Sequence, residues 1–314
     1  MTDLAIIIVS WNTRDLLRQC LASIKEETTT TAYEITVVDN NSTDGSPDMV
    51  AAEFPEITLI RNPENQGFAA ANNQALHHLN ARYALLLNPD TKIIDRALDR
   101  LVAAADQHEP GIMTCKLLNP DFSLQKSVNS FFSLTGSLVE NRFFSALHLG
   151  KKKQSPTLLS QWDHASDRTI DWAHGAVLLI AKEVIEKIGL LDEQFFIYAE
   201  EIDYYFRARQ AGFTARFIST VHLIHYGQAS SRQNSVAMFI QNYKSFYLFL
   251  KKHYPAHVYY LYRFRVLCFL PIWILVYLLR FTLHILYSRE RARESFRHVV
   301  LYSRTLWWHL FGMN

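Results

Sequence analysis

The sequence predicts an α/β fold, with a mainly parallel central sheet flanked by helices and a helical extension at the C-terminal end. Three observations carry this. Short β-branched apolar runs alternate with stretches of helical periodicity. The apolar runs are too continuous for a sheet with one wet face, so both faces are expected to be covered. The last quarter of the chain changes character, becoming basic and rich in aromatic residues.

The elements follow in order. "AIIIVSWN" (Ala5–Asn12) reads as a strand, and "TRDLLRQCLASIKE" as a helix whose Leu16, Leu17, Cys20, Leu21 and Ile24 share a face. "EITVVDNNSTDGS" (Glu34–Ser46) is a second strand ending in a polar turn. "ITLIRNPENQG" leads into the helical "FAAANNQALHHLN", "YALLLNPDT" makes a fourth strand, and "AGFTARFI" supports a later one. Between about 118 and 170 the pattern loosens, and "GKKKQSP" (Gly150–Pro156) reads as a mobile surface loop. A helical rhythm returns from Ser235 through Val236, Phe239, Ile240, Tyr243, Phe246, Tyr247 and Leu250. The expected division is therefore 1–230, a helical connector at 231–262, and a basic, aromatic-rich segment at 263–314.

Composition sets the outer limits. With 314 residues, 49% apolar and 20% charged, the chain is a packed globular protein rather than a disordered one. The net charge of +2 hides an asymmetry: residues 251–314 hold ten Lys/Arg against two acids, a local +8, leaving −6 for the rest. Cys20, Cys115 and Cys268 are odd in number, far apart and without CxxC spacing, which fits a reducing compartment. No basic region and cleavage site precede "LAIIIVSWN", so no secretion leader is expected.

In sheets of this kind ligands gather outside the carboxyl ends of the strands, so the polar residues there are the candidates. Asp39 follows "ITVV" and Asp44 lies in the turn beyond it. Either they shape a turn and cap a helix, or Asp39 accepts the imide N–H of a pyrimidine base. In "LLLNPDT" three leucines bury the strand, Pro89 stops the ladder, and Asp90 emerges where a hard cation could use it. One carboxylate suffices for Mg²⁺ or Mn²⁺ if a diphosphate supplies further ligands. Glu200, Glu201 and Asp203 crowd into "YAEEIDYYFRARQAGF". They either complement a helix start and pair with Arg207 and Arg209, or provide a general base with a raised pKa. His225, in "HLIHYGQASS", could close a metal site with Asp90.

Taken in order, "VSWN", "VVDNNSTDGS", "NQGFAAANN", "LLLNPDT", "WAHGAVLLI", "IYAEEIDYYFRARQAGF" and "HLIHYGQASS" resemble the family-2 glycosyltransferases of the GT-A fold, specifically the rhamnosyltransferase-like branch that builds bacterial cell-surface polysaccharides. The resemblance covers roughly residues 3–230. It implies a nucleotide pocket lined by Ser10 and Asn12, with Asp39 on the base and Asp44 nearby. Asn65, Gly67 and Asn72 would approach the ribose, diphosphate and donor sugar. Asp90 matches the metal-binding end of the family's Asp-x-Asp motif, whose first position is here Asn88. Trp172, His174 and Gly175 match an acceptor-side segment. The family's Glu-Asp pair falls on Glu200 and Glu201. Its second member is one methylene longer than usual, and the proton is expected at Glu201, with Glu200 and Asp203 as alternatives. His225 matches a metal- and phosphate-side histidine.

The implied chemistry is single displacement with inversion, moving a sugar (L-rhamnose from dTDP-rhamnose by the branch resembled) to a lipid-linked or growing oligosaccharide. A nucleotidyltransferase would need a Gly-rich triphosphate loop, and "VSWNTRD" lacks the glycines. A non-catalytic, membrane-tethered binding protein on the same fold is the alternative from another class. Val266–Leu279 is uncharged for fourteen residues, short for a span. Continuing to Tyr287 would bury Arg280 in lipid at about 2.5–3.5 kcal/mol, and Pro271 is expected to interrupt the helix. A segment lying in the interface fits better, with Trp273, Tyr277, Trp307 and Trp308 at headgroup depth and arginines on anionic lipids. A helical lid or a homodimer contact would use the same residues. Because the basic residues are threaded through a greasy segment, nucleic acid is not expected as a partner. The resemblance implies the cytoplasmic face of the inner membrane.

Overall fold

The computed structural model describes residues 2–133, 162–227 and 235–312, and Gly150–Pro156 lies outside the described residues. The chain forms two compact units, Met1–Ser230 and Ser231–Asn314.

The first unit begins with β1 (Thr2–Ser10), α1 (Arg14–Glu27), β2 (Tyr33–Asp39), α2 (Ser46–Glu53), β3 (Thr58–Arg61), α3 (Phe68–Leu76) and β4 (Ala81–Leu87). After β5 (Thr91–Lys92), α4 (Ala97–Ala105) and β6 (Gly111–Leu118) come four two-residue strands: β7 (Leu124–Gln125), β8 (Val128–Asn129), β9 (Arg168–Thr169) and β10 (Trp172–Ala173). The unit closes with β11 (Val177–Ala181), α5 (Lys182–Ile188), α6 (Glu200–Gln210) and β12 (Thr214–His225). The main sheet runs β3-β2-β1-β4-β11-β6-β12-β5, with β7 on β6 and β9 on β12.

The four strands β3, β2, β1 and β4 are parallel as expected. Beyond them the order is mixed: β11 lies antiparallel to both β4 and β6, and β12 runs parallel to β6. This has a direct consequence for ligands. The carboxyl ends of β1, β2, β4, β6 and β12 and the amino end of β11 all share one edge of the sheet.

Alternation along β1 divides the core into two layers. Leu4, Ile6 and Ile8 pack with Leu17, Leu21 and Ile24 of α1, whereas Ile7 and Val9 face Ala69 and Ala71 of α3. Each buried Leu or Ile contributes about 1.5–3 kcal/mol. The alanines on α3 bring its backbone close to the sheet, and with it the turn at Gly67. Asp99 ties down the connection into β2 by accepting the N–H groups of Thr29, Thr30 and Thr31. Cys20 and Cys115 are buried, and burial pushes both thiols up to about 12, so neither is a reactive thiolate.

The second unit contains α7 (Ser235–His253), α8 (Ala256–Tyr287) and α9 (Arg289–Phe311). The boundary expected at 262/263 falls inside α8, and Pro271 does not interrupt this helix, which continues on both sides of it. A proline removes one helical hydrogen bond, and packing against α9 holds the helix through the gap. Tyr277 stacks on His298 at 4.4 Å, His284 Nδ1 lies 3.0 Å from Ser295 Oγ, and Arg263 Nη2 donates to the carbonyl of His309 at 3.1 Å. The opposite face stays open, with Leu275, Leu279, Leu283 and Leu286 all more than half exposed. By length and composition α8 could cross a membrane: it has 32 residues, and its most apolar window reaches a mean hydropathy of 2.2.

Candidate active site

At the shared edge, β1 and β2 end in register, Ser10 opposite Asp39. The Asp39 carboxylate is buried. One oxygen, Oδ2, accepts the N–H of Ser42 at 3.0 Å, while Oδ1 has no hydrogen-bond partner. A buried carboxylate oxygen left in that state can accept from a donor that arrives with a ligand. Ser10 Oγ is engaged with Thr13 Oγ1 at 3.0 Å. Asn12, with φ +52°, uses its side-chain oxygen on the N–H of Thr43, and Asp44 accepts the first N–H of α1, that of Arg14, at 2.8 Å. These two residues therefore join the β1 and β2 loops to each other. Burial alone would raise the Asp44 pKa, yet hydrogen bonds from Ser46 and Arg14 hold it below the ordinary value.

Asn40 organises the next loop, and its role was not singled out from sequence. Its amide nitrogen donates to Asn65 Oδ1 and to the carbonyl of Gly67, while its oxygen accepts from Asn62 Nδ2 and from the N–H of Gln66. The only sequence signal is its place beside Asp39. Asn65 also accepts the N–H of Gly67. Gly67 has φ +85°, and a Cβ there would sit 2.3 Å from the carbonyl oxygen of Phe196. That carbonyl accepts the N–H of Phe68 at 2.6 Å, so the loop before α3 is sewn to the loop before α6. Asn72 donates to the carbonyl of Phe68, and its buried oxygen has no partner.

The other half of the edge centres on Asp90. β4 ends at Leu87, the Asn88 carbonyl accepts Thr91 Oγ1 at 2.8 Å, and Thr91 pairs with His225 of β12. This pairing brings the Asp90 and His225 side chains together: Nε2 of the imidazole lies 3.2 Å from Asp90 Oδ1, without hydrogen-bond geometry. A buried imidazole nitrogen and a carboxylate oxygen at that separation can both bind one cation. Among the described residues no cluster of three or more His, Cys, Asp or Glu forms a metal site. The donor set is a pair, and a bound ligand would complete it.

Trp172 and Ala173 form β10 against β8, with Trp172 Nε1 donating to the carbonyl of Ser130 at 3.0 Å. His174 stacks on Trp172 at 5.6 Å. Reduced hydration of its ring holds it below the usual histidine value. Gly175 leaves room for Glu201, whose Cβ would be 3.7 Å from a Cβ added at that glycine.

Helix α6 starts at Glu200, directly after Tyr198 and Ala199, both left-handed with φ +69° and +65°. Each such residue costs about 1–3 kcal/mol, a strain seen most often at functional sites. Oε2 of Glu200 and Oε2 of Glu201 are both buried without partners. Burial, and then the charge of Glu201, push Glu200 well above the ordinary carboxylate range. Glu201 is raised by burial to about 7, partly offset by N–H groups of its own turn. Asp203 is different. Arg207 Nε binds it at 2.7 Å while the same guanidinium holds the carbonyls of Ile188 and Leu190, so this acid anchors α6 to the end of α5.

The family described as "Glycosyl transferase family 2" matches residues 5–147. An N-acetylglucosaminyl-diphospho-decaprenol L-rhamnosyltransferase from Mycobacterium tuberculosis is 24% identical over 265 residues, covering 80% of this chain and 85% of that protein. Rhamnosyltransferase WbbL from Escherichia coli K12 is 24% identical over 254 residues, covering 79% and 92%. Among solved structures, GalNAc-T7 with UDP, GalNAc and Mn²⁺ superimposes with a TM-score of 0.52 at 13% identity, over 72% of this chain and 44% of that one.

The seam at Gly67 can be tested without any ligand. Gly67→Ala should destabilise the first unit by at least about 1–3 kcal/mol, from the left-handed φ and the contact with Phe196. Thermal denaturation should show a correspondingly lower midpoint, and an unchanged midpoint would mean that the 192–199 loop yields freely.

Proposed function

This chain belongs to the family-2 glycosyltransferases and has the GT-A fold, and from that premise we propose that it is a metal-dependent, inverting enzyme moving L-rhamnose from dTDP-rhamnose to a hydroxyl of a lipid-linked oligosaccharide. The observation that carries the reading is the set of buried, unpartnered acceptors at one sheet edge: Asp39 Oδ1, Glu201 Oε2 and His225 Nε2. Asp39 Oδ1 suits the imide N–H of thymine or uracil, which cytosine and adenine lack. Asp90 and His225 would hold Mg²⁺ or Mn²⁺, and the ion when bound would stabilise charge on the departing diphosphate. The sugar and the lipid acceptor are drawn from the named activities of the two relatives.

The chain's own residues perform the proton transfer. Glu201, ionised above about pH 7, takes the proton of the acceptor hydroxyl as its oxygen bonds to the anomeric carbon. The bond from that carbon to the diphosphate oxygen breaks, and its electron pair leaves with the nucleoside diphosphate. Burial and then the charge of Glu201 push Glu200 up as well, which favours one negative charge on the pair over two. Gly175 keeps the space beside Glu201 clear of a side chain.

We assign the open face of α8 to the surface of the membrane that carries the acceptor. Its support is the row of exposed leucines with the exposed Arg280 on the same helix, next to which α9 brings Arg289, Arg293 and Arg297 interspersed with Glu290 and Glu294.

Release of nucleoside diphosphate from UDP-, GDP- and dTDP-sugars, with and without Mg²⁺ or Mn²⁺ and with acceptor lipid present, tests the reaction. Turnover is expected with dTDP-rhamnose and metal, and it should fall about 10²–10⁴-fold in Glu201→Gln and be lost in Asp90→Ala. Donor binding without turnover would instead favour a tethered binding protein. The rate should decline as pH falls below about 7, because protonation removes the base. Glu200→Gln should leave that limb in place, since burial rather than Glu200 is what raises Glu201. In flotation assays the full chain should rise with vesicles containing anionic phospholipid, and Leu275→Asp with Leu279→Asp should reduce the floated fraction several-fold. Equal flotation of both proteins would remove α8 as the contact.

A further inference from the structure

The tautomer of His225 is determined by a residue that lies a hundred positions earlier in the chain. Gln125 Oε1 is 2.6 Å from His225 Nδ1. The orientation of the Gln125 amide is set by its other end, because Nε2 donates to Asn119 Oδ1 at 3.0 Å and to the backbone carbonyl of His225 at 3.3 Å. Flipping the amide would turn its oxygen towards that backbone carbonyl. An amide oxygen can only accept, so Nδ1 must carry the hydrogen. The neutral ring then has its lone pair on Nε2, the atom 3.2 Å from Asp90 Oδ1 that makes no hydrogen bond.

We propose that Gln125 is the positioning residue that locks His225 in the tautomer with Nδ1 protonated, so that Nε2 presents its lone pair beside Asp90 to a divalent cation. The use of that lone pair rests on the metal reading of the Asp90–His225 pair, whereas the lock itself does not. The fold supplies the encounter. β6 pairs with β7, which carries Gln125, and with β12, which ends at His225. Gln125 also stands opposite Leu117 in the β6 and β7 ladder, so its backbone is fixed on the same strand that aligns β12. A residue that only closed the hairpin would need the bond to Asn119 and nothing on the imidazole.

The test uses the full chain, with ¹⁵N-labelled histidine and two variants. Gln125→Met keeps the length and loses the acceptor, and Gln125→Glu keeps the acceptor. Long-range ¹H–¹⁵N spectra at pH 8, with His225 assigned by comparison with His225→Gln, report the tautomer without metal or turnover. Mn²⁺ affinity is read from the electron paramagnetic resonance of free Mn²⁺, with and without dTDP. The wild type should show Nδ1 protonated, Gln125→Met a mixture of tautomers with Mn²⁺ binding weakened about 10–100-fold, and Gln125→Glu the wild-type tautomer. A Met variant with the wild-type tautomer and the wild-type Mn²⁺ affinity would overturn the proposal. If the wild type bound no Mn²⁺ while its tautomer still depended on Gln125, the lock would stand and the metal assignment of the pair would fall.

Discussion

The pairing of β5 with β12 is a contact of only two residues on each strand, yet the meeting of Asp90 and His225 depends on it. Thr91 opposite His225 and Lys92 opposite Ile224 determine which side chains leave the ladder next to one another. The main-chain bond from Tyr226 to Asp90 extends the alignment one step further. Because side chains alternate along a strand, a one-residue slip would send the His225 ring to the other face. The long parallel pairing of β12 with β6 prevents that slip, and the buried leucines of β4 anchor the other end. A strong hydrophobic sheet therefore positions a weak polar contact.

The same division of labour explains the electrostatics. The protein leaves Asp39 Oδ1, Asn72 Oδ1, Glu200 Oε2, Glu201 Oε2 and His225 Nε2 buried and unpartnered. Each such group costs about 1–3 kcal/mol, and more if charged. The compensation lies beside them. Asp44, Asn40 and Asp203 are heavily hydrogen-bonded, and they hold the loops and the helix on which the unpartnered acceptors ride. Residues of the same chemical type are thus used in opposite ways a few positions apart.

The division between these roles limits what could be read from sequence. The strands and first helices were legible because local period and burial coincide, as in α1 and β1. Asp90 was legible because an apolar run stops abruptly at Pro89. By contrast, the turn and ligand readings of Asp39 and Asp44 were equally open, and only partners thirty residues away separate them: Asp44 meets Arg14, while Asp39 keeps one oxygen unbonded. Among the three clustered acids, the guanidinium of Arg207 distinguishes Asp203 from the pair at the helix start. Gln125 lay in the stretch where periodicity fails, and nothing local connects it with His225. The helix through Pro271 was misjudged for a similar reason, since its support comes from α9 rather than from its own sequence.

The hydrogen bond from Phe68 to the carbonyl of Phe196 joins two loops with different tasks. One leads into α3 and the other into α6, with Phe196 four residues before Glu200. Movement of the first is therefore transmitted to the second through this peptide group, and Asn73 of α3 reinforces the seam by bonding Leu191 and Glu193. Whatever settles the loop before α3 thus also settles the backbone that leads into Glu200 and Glu201.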